Sequence, residues 1–279
     1  MPDPALADLV DLARYPIDRP EGPAGRALVE ACRRDLAATG ACNLQGFLRA
    51  DALAAMAAEA RTLVPLGHRK DGTRNAYFTA DDPALPADDP RRAFFRIAMR
   101  QVAGDLFPAD SLLARLYAMP QMTEFVRLAL GLGTLYRHSD PFQDLNLIAL
   151  GDGDEQPWHY DQNEFSVTLL LQAASEGGLF EYVPRLRTDA DENLAAVRRV
   201  IDGDRARVVT PQRSAGTLTL FKGIHALHRV SEARGPVPRI TAILSYNEAP
   251  QVRIPDRINA MIYGPRVAAI LARRAAAGA

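Results

Sequence analysis

The first half of the chain has the hydrophobic pattern of helices. Apolar residues recur at helical spacing in four segments, 25–39, 52–63, 91–105 and 111–130. Between them, the short apolar stretch 42–48 predicts a strand, and the polar stretch 68–92, which contains three prolines, predicts a loop. We therefore predict a helical N-terminal part over residues 23–135, preceded by an arm over residues 1–22.

From residue 143 onward, the pattern changes to short apolar runs separated by glycine and proline turns. These runs predict six strands, at 143–150, 165–172, 178–183, 206–210, 217–221 and 239–246. A helix at 191–200 interrupts the strands, and a helical tail is expected over 256–279. The predicted fold class is α+β, mostly β with flanking helices, in which a jelly-roll core at about 143–250 belongs to a single domain over 23–279.

Composition narrows the range of partners. The 279 residues include 33 basic and 34 acidic residues without long runs of one sign, so no surface for nucleic acid or an anionic membrane is predicted. Two cysteines are too few for a disulfide framework, and neither a signal peptide nor a membrane-spanning run is evident. We expect a cytoplasmic monomer or homodimer that acts on a small molecule.

His159 and Asp161 are the first candidate metal ligands. Residues i and i+2 of a strand point to the same face, so both side chains can reach one ion while Tyr160 points away. The pair precedes an apolar run at 165–171 that predicts a buried strand, although the loop at 151–157 also permits a simple surface turn. Two histidines and one carboxylate with open positions suit a non-haem Fe(II) centre that binds O2.

Two histidines compete to be the third ligand. His225 and His228 are three residues apart and would lie on opposite faces of an extended segment, so at most one should meet the metal. We favour His228, because Val230 resumes a strand pattern, and expect a pocket or structural role for His225. Arg239 then begins an apolar segment, where it would need either an internal acid or a dicarboxylic co-substrate; we favour the co-substrate.

Taken together, these residues resemble those of the Fe(II)/2-oxoglutarate-dependent oxygenases. Within that superfamily, five segments are similar to the BesD-like family of free-amino-acid halogenases and hydroxylases: Trp158–Asp161, Val167–Gln172, Gly177–Tyr182, Gly216–Leu218 and Leu227–Val230. The similarity extends from about Asn75 to Asn247, which is most of the predicted folded chain.

The resemblance implies a double-stranded β-helix (cupin-like) core with iron held by His159, Asp161 and His228. It further implies that 2-oxoglutarate chelates the iron, with its distal carboxylate at Arg239, and that O2 is consumed. Asn146 and Thr168 are further candidates for co-substrate binding. In the halogenating members, a small residue replaces the ligand carboxylate and leaves a position for chloride. Asp161 occupies that position here, so hydroxylation is expected.

An amino-acid substrate would need a cation for its carboxylate and an acid or carbonyl groups for its ammonium. The candidates are Arg74 and Arg96 for the carboxylate, Asp140, Glu164 and Glu248 for the ammonium, and Trp158 and Gln143 for the pocket. The charged residues are more often surface charges or structural ion pairs, a lone Trp is usually part of the core, and a buried amide equally serves the backbone. Two alternative functions stay open: the same iron chemistry used for desaturation or cyclisation of a natural-product intermediate, and a non-catalytic cupin-like binding domain.

Overall fold

The computed structural model of the protein describes residues 5–278. Its helices are α1 (Leu6–Leu9), α2 (Pro23–Thr39), α3 (Ala50–Leu63), α4 (Leu112–Ala118), α5 (Pro120–Leu130), α6 (Leu194–Ile201) and α7 (Asp256–Gly278). Its strands are β1 (Ala41–Leu44), β2 (His68–Arg74), β3 (Phe95–Val102), β4 (Tyr136–Arg137), β5 (Leu145–Leu150), β6 (Gln156–His159), β7 (Ser166–Gln172), β8 (Glu176–Gly177), β9 (Phe180–Val183), β10 (Leu218–Phe221), β11 (Leu227–Val230), β12 (Ala233–Arg234), β13 (Arg239–Leu244) and β14 (Tyr246–Asn247).

Two antiparallel sheets form the β core. The larger has seven strands in the order β1-β10-β7-β13-β5-β3-β2, and the smaller has three in the order β6-β11-β9. Residues from both sheets line one cavity. The predicted α+β class with a jelly-roll core is confirmed.

Strand alternation separates the core from the cavity. In β13, Ile240, Ala242 and Leu244 join the main hydrophobic core, whereas Arg239 and Thr241 line the cavity. The same core face of the sheet carries side chains from β7 and β10, and helices α1 to α5 pack against it. Burying each large apolar side chain stabilises the fold by about 1.5–3 kcal/mol, so this layer fixes the large sheet as the rigid wall of the cavity.

The described part of the segment predicted as an N-terminal arm, residues 5–22, packs against this same core, and residues 1–4 of that segment lie outside the described residues. Leu6, Leu9 and Val10 are buried there, and the backbone N–H of Arg49 donates to the carbonyl of Leu9. Helix α7 lies at the other end of the chain and is broken at Gly264, whose φ of 74° is followed by Pro265. Within residues 5–278, none of the helices has the length and apolar character required to cross a membrane.

Four predicted elements differ from the structure. The segment 91–105 was expected to be helical but contains β3, and the expected loop at 68–92 begins with β2. β3 lies between β2 and β5 in the sheet, so strand pairing overrides a pattern that also fits a helix. The predicted strand at 206–210 is only an isolated bridge between Val209 and Tyr182. The predicted helix at 111–130 is two helices, which meet at Pro120.

Candidate active site

A pair of histidines faces the cavity from the smaller sheet. His159 ends β6 and His228 lies directly opposite it in β11, so the pairing register places both side chains on one face. Their ring centroids are 4.1 Å apart, and both residues are buried. On the opposite face of β6, Trp158 packs into a second small hydrophobic cluster beneath α6.

Hydrogen bonds orient both imidazoles. Nδ1 of His159 lies 2.8 Å from the carbonyl oxygen of Pro157, and Nδ1 of His228 lies 2.9 Å from that of Ala226. A carbonyl oxygen only accepts, so each Nδ1 carries a proton, and Nε2 is the ring nitrogen of each histidine that points toward a metal. This is the arrangement in which histidine binds a metal through Nε2.

Asp161 completes the cluster. It follows β6 by two residues, and its Oδ1 lies 3.3 Å from Nε2 of His228. One ligand atom from each of His159, Asp161 and His228 lies within 4.8 Å of the others. Burial alone would raise the pKa of Asp161, but His228, a hydrogen bond from Ser166 and the charge of Arg74 together lower it. The carboxylate is therefore ionised and available to a cation.

The electrostatics keep His159 neutral. Burial, followed by the nearby His228 and Arg74, holds the pKa of His159 well below its ordinary value. A neutral imidazole is the form that coordinates a metal. His225, the competing histidine, pairs instead with Asp189, at 2.9 Å between Nε2 and Oδ1, and lies outside the cluster.

Arg239 and a second arginine lie in the wall of the same cavity. Arg239 begins β13 and donates a hydrogen bond to the Thr241 hydroxyl on the same face. Arg213, which sequence reasoning missed, reaches the cavity from the loop before β10 and donates to the Thr168 hydroxyl at 3.2 Å. Among the described residues, neither guanidinium forms an ion pair with a carboxylate, and Nε of Arg213 has no hydrogen-bond partner.

Burial lowers the pKa values of Arg239 and Arg213, because no neighbouring carboxylate among the described residues offsets it. The pKa of Arg239 falls to about 10, and that of Arg213, which also faces the charge of Arg239, falls to about 9. Both guanidinium groups remain charged at neutral pH. A buried cation beside a partly buried one, with no counter-charge among the described residues, is costly, so this wall is suited to receiving an anion.

Arg74 is the predicted substrate residue that lies beside the metal cluster. It is close enough to Asp161 and His159 to influence the pKa values of both, and its Cζ lies 4.6 Å from the centroid of the Phe78 ring. Its Nε and Nη2 are buried without a hydrogen-bond partner within residues 5–278. Burial lowers the pKa of Arg74 to about 10, against the opposing effect of Asp161.

The turn after β2 holds Phe78 between Arg74 and the metal cluster. The Asn75 side chain accepts hydrogen bonds from the backbone N–H groups of Tyr77 and Thr79, which fixes the turn. Phe78 has a φ of 59°, which is unusual for a residue with a side chain, and its ring meets His159 edge-on at 5.9 Å. The turn is thus a constrained wall on this side of the cluster.

The other predicted substrate residues lie elsewhere. Arg96 pairs with Asp71 on the exposed edge of the large sheet, whereas Asp140 and Gln143 bond to Asn259 of α7. Glu164 and Glu248 are exposed. Of the two further co-substrate candidates, Thr168 lines the cavity, whereas the Asn146 amide faces the carbonyl of Gln143 at 3.5 Å.

Solved structures place the fold in a known class. A 2OG-Fe(II) oxygenase family oxidoreductase from Burkholderia pseudomallei is 16% identical with a TM-score of 0.50, over 79% of this chain and 91% of that one. EctD from S. alaskensis, solved with 2-oxoglutarate and 5-hydroxyectoine, is 22% identical with a TM-score of 0.52, over 84% and 79%. The epimerase SnoN from nogalamycin biosynthesis is 17% identical with a TM-score of 0.55, over 80% and 84%. The fold is that of the 2-oxoglutarate/Fe(II) oxygenases.

The sequence identifies the family more narrowly. The model of the halogenase D family, HalD, matches residues 24–258, and the chain belongs to that family. A search of curated proteins found no significant match.

Proposed function

We propose that the protein is an Fe(II)/2-oxoglutarate-dependent dioxygenase that hydroxylates an unactivated C–H bond of a free amino acid or a similar small molecule. The products would be the hydroxylated substrate, succinate and CO2. One observation carries the proposal: a single cavity holds two histidines and a carboxylate as one cluster and, in its wall, the buried Arg239 and the partly buried Arg213, neither of which has an acidic partner among the described residues.

The three residues of the cluster fit Fe(II). His159 and His228 offer their Nε2 atoms, and Asp161 offers a carboxylate oxygen. This ligand set leaves positions open for a co-substrate and O2, and bound iron would supply the oxidation chemistry. The protein holds the ligands in place through the Nδ1 hydrogen bonds and excludes water by burying both histidines.

The arginines fit the distal carboxylate of 2-oxoglutarate. A planar guanidinium binds a carboxylate through two parallel hydrogen bonds, and the Arg213 Nε is unpartnered within the described residues. Arg239 is the primary partner in this proposal, with Arg213 as a second cation and Thr168 and Thr241 holding the two guanidiniums. Bound co-substrate would supply the negative charge that this part of the wall lacks.

Asp161 favours hydroxylation within a family named for halogenation. In the halogenating relatives that the sequence resembles, a small residue stands in its place and leaves room for a halide. Here the carboxylate lies within metal-binding reach of both histidines, so that position is filled by the protein. Oxygen transfer is therefore favoured over halogen transfer.

The position of Arg74 supports a substrate that carries an anionic group. Its buried, unpartnered nitrogens adjoin the metal cluster, where a carboxylate would satisfy them. A free amino acid provides such a carboxylate, and binding there would hold its side chain near the iron.

The test is a screen of amino acids for substrate-stimulated formation of succinate, with the product mass recorded. A gain of one oxygen supports hydroxylation, whereas loss of two hydrogens indicates desaturation, and a halogen in the product refutes the role given to Asp161. If Fe(II) and 2-oxoglutarate give no visible charge-transfer band under anaerobic conditions, the metal assignment is wrong.

A further inference from the structure

Gly223 lies directly against the carboxylate of Asp161. A Cβ built on Gly223 would be 2.0 Å from Oδ2, 2.6 Å from Cγ and 2.9 Å from Cβ of Asp161. All three distances are shorter than non-bonded atoms tolerate. Rotating the carboxylate would move its oxygens but would leave Cγ and Cβ too close, so the whole Asp161 side chain would have to move.

Position 223 requires glycine because there is no space for a side chain. Gly223 is not among the residues with positive φ, so its backbone conformation is one that alanine also adopts. Conformational freedom therefore does not explain the glycine. The space that its missing side chain leaves is occupied by the metal-binding carboxylate.

The segment around Gly223 has little freedom to retreat. The backbone N–H of Asp161 donates to the carbonyl of Gly223 at 3.2 Å, and the N–H of Lys222 donates to that of Gly40 at 2.8 Å. On the other side, Nε of Arg187 donates to the carbonyl of Ile224 at 2.7 Å. Moving the segment away from Asp161 would break hydrogen bonds on both sides of Gly223.

We propose that Gly223 is a positioning residue for the metal centre: its lack of a side chain allows Asp161 to reach the metal and so sets the number of protein ligands at three. The inference rests on the proposed metal function of Asp161. It adds that positions 161 and 223 are coupled, so that a larger residue at 223 has the same effect on the metal as the loss of the carboxylate.

The experiment compares Gly223→Ala, Asp161→Gly and the double variant with the wild type. Glycine is used at position 161 because alanine would keep a Cβ at 2.9 Å from the new one. Gly133→Ala is the matched control, since no atom lies within 4 Å of its added Cβ. Two properties are measured: Co(II) affinity by visible absorption, and the unfolding temperature of the metal-free protein.

We expect Gly223→Ala to weaken Co(II) binding on the order of 10- to 100-fold relative to the wild type. When Asp161→Gly is already present, adding Gly223→Ala should change the Co(II) affinity by less than about twofold. The unfolding temperature should fall by roughly 2–10 °C in Gly223→Ala and return to that of Asp161→Gly in the double variant. Gly133→Ala should match the wild type in both measurements.

Two outcomes would overturn the inference. Wild-type Co(II) affinity in Gly223→Ala would show that the carboxylate does not need this space. An unfolding temperature that stays low in the double variant would show that the glycine serves the loop and not Asp161. Failure of the wild type to bind Co(II) would instead refute the proposed function, and the unfolding temperatures would still test the coupling.

Discussion

The metal cluster (His159, Asp161 and His228) and the arginine pair (Arg213 and Arg239) line one cavity, but their electrostatic properties are opposite. At the metal cluster, both histidines have a hydrogen-bonded Nδ1, the imidazole of His159 is held neutral, and Asp161 contributes one negative charge. At the arginine pair, two cations face each other without an acid among the described residues. The first site is ready for a cation, and the second is complete only when an anion is bound.

This difference constrains the ligand more than either site does alone. A molecule that chelates a cation with one end and presents a carboxylate at the other satisfies both sites, as 2-oxoglutarate would. It also means that the two sites should respond differently to mutation. Loss of a metal ligand removes a function, whereas loss of an unpaired buried cation also removes a source of instability.

The largest effect is expected at the metal cluster. Changing His228 to alanine removes one of two imidazole ligands, so the anaerobic charge-transfer band and succinate formation should both disappear. Metal affinity should fall by more than the roughly 100-fold that loss of an outer hydrogen-bonding partner costs. Absorption spectra and metal titration measure this loss.

His225→Ala is the control for that experiment. His225 pairs with Asp189 outside the cluster, so the variant should keep the band. A band that survives in His228→Ala but vanishes in His225→Ala would reverse the ligand assignment.

The next effect is expected at the arginine pair. Replacing Arg239 with methionine should raise the KM for 2-oxoglutarate by roughly 30-fold or more, because a desolvated carboxylate loses its charged partner. Arg213→Met should also raise the KM for 2-oxoglutarate. Steady-state kinetics at saturating substrate measures both, with Arg96→Met as the control, because Arg96 pairs with Asp71 and does not line the cavity.

The same two variants test the instability argument. An apolar side chain of similar size in place of an unpaired buried charge should raise the unfolding temperature of the ligand-free protein. Lower stability together with an unchanged KM would show that the arginines serve the fold and bind no co-substrate.

A smaller effect, specific to the substrate, is expected at Arg74. Arg74→Met should raise the KM for the substrate by about 10- to 100-fold, the cost of losing a charge-assisted hydrogen bond. The KM for 2-oxoglutarate should stay within about twofold, because Arg74 lies beside Asp161 and does not line the cavity that holds Arg213 and Arg239. Equal changes in both constants would contradict a separate substrate site.

The sequence predicted the metal cluster better than the arginine pair, for a physical reason. His159 and Asp161 are two residues apart, and strand alternation alone puts them on one face. Arg213 lies in a loop without periodicity, so only the folded chain brings it beside Arg239. Gly223 resembles an ordinary turn glycine in sequence, since the atoms it accommodates lie 62 positions earlier. In the fold, β3 was mistaken for a helix because its neighbours in the sheet, and not its own pattern, determine its structure.

The smallest effect is expected at Asp144, a carboxyl group that does not line the cavity. It tests a change in stability that comes from burial alone and not from ligand binding. Burial raises the pKa of Asp144 to about 6, despite the hydrogen bond it accepts from the backbone N–H of Leu145. Its folded pKa exceeds the unfolded value, so its contribution to stability is full below about pH 4 and is lost as the pH rises through about 6. Asp144→Asn should therefore gain up to about 2 kcal/mol over the wild type between pH 4 and pH 7.5, after allowance for partial exposure.

Thermal unfolding at the two pH values measures this gain, and Asp71→Asn provides a control of opposite sign. The hydrogen bond from Arg96 lowers the pKa of Asp71, so its contribution is present above about pH 4 and is lost as the pH falls. Addition of 2-oxoglutarate should leave the Asp144→Asn difference unchanged, because this group does not line the cavity. If the ligand abolished the difference, the metal cluster and the arginine pair would not be the only charged groups coupled to co-substrate binding.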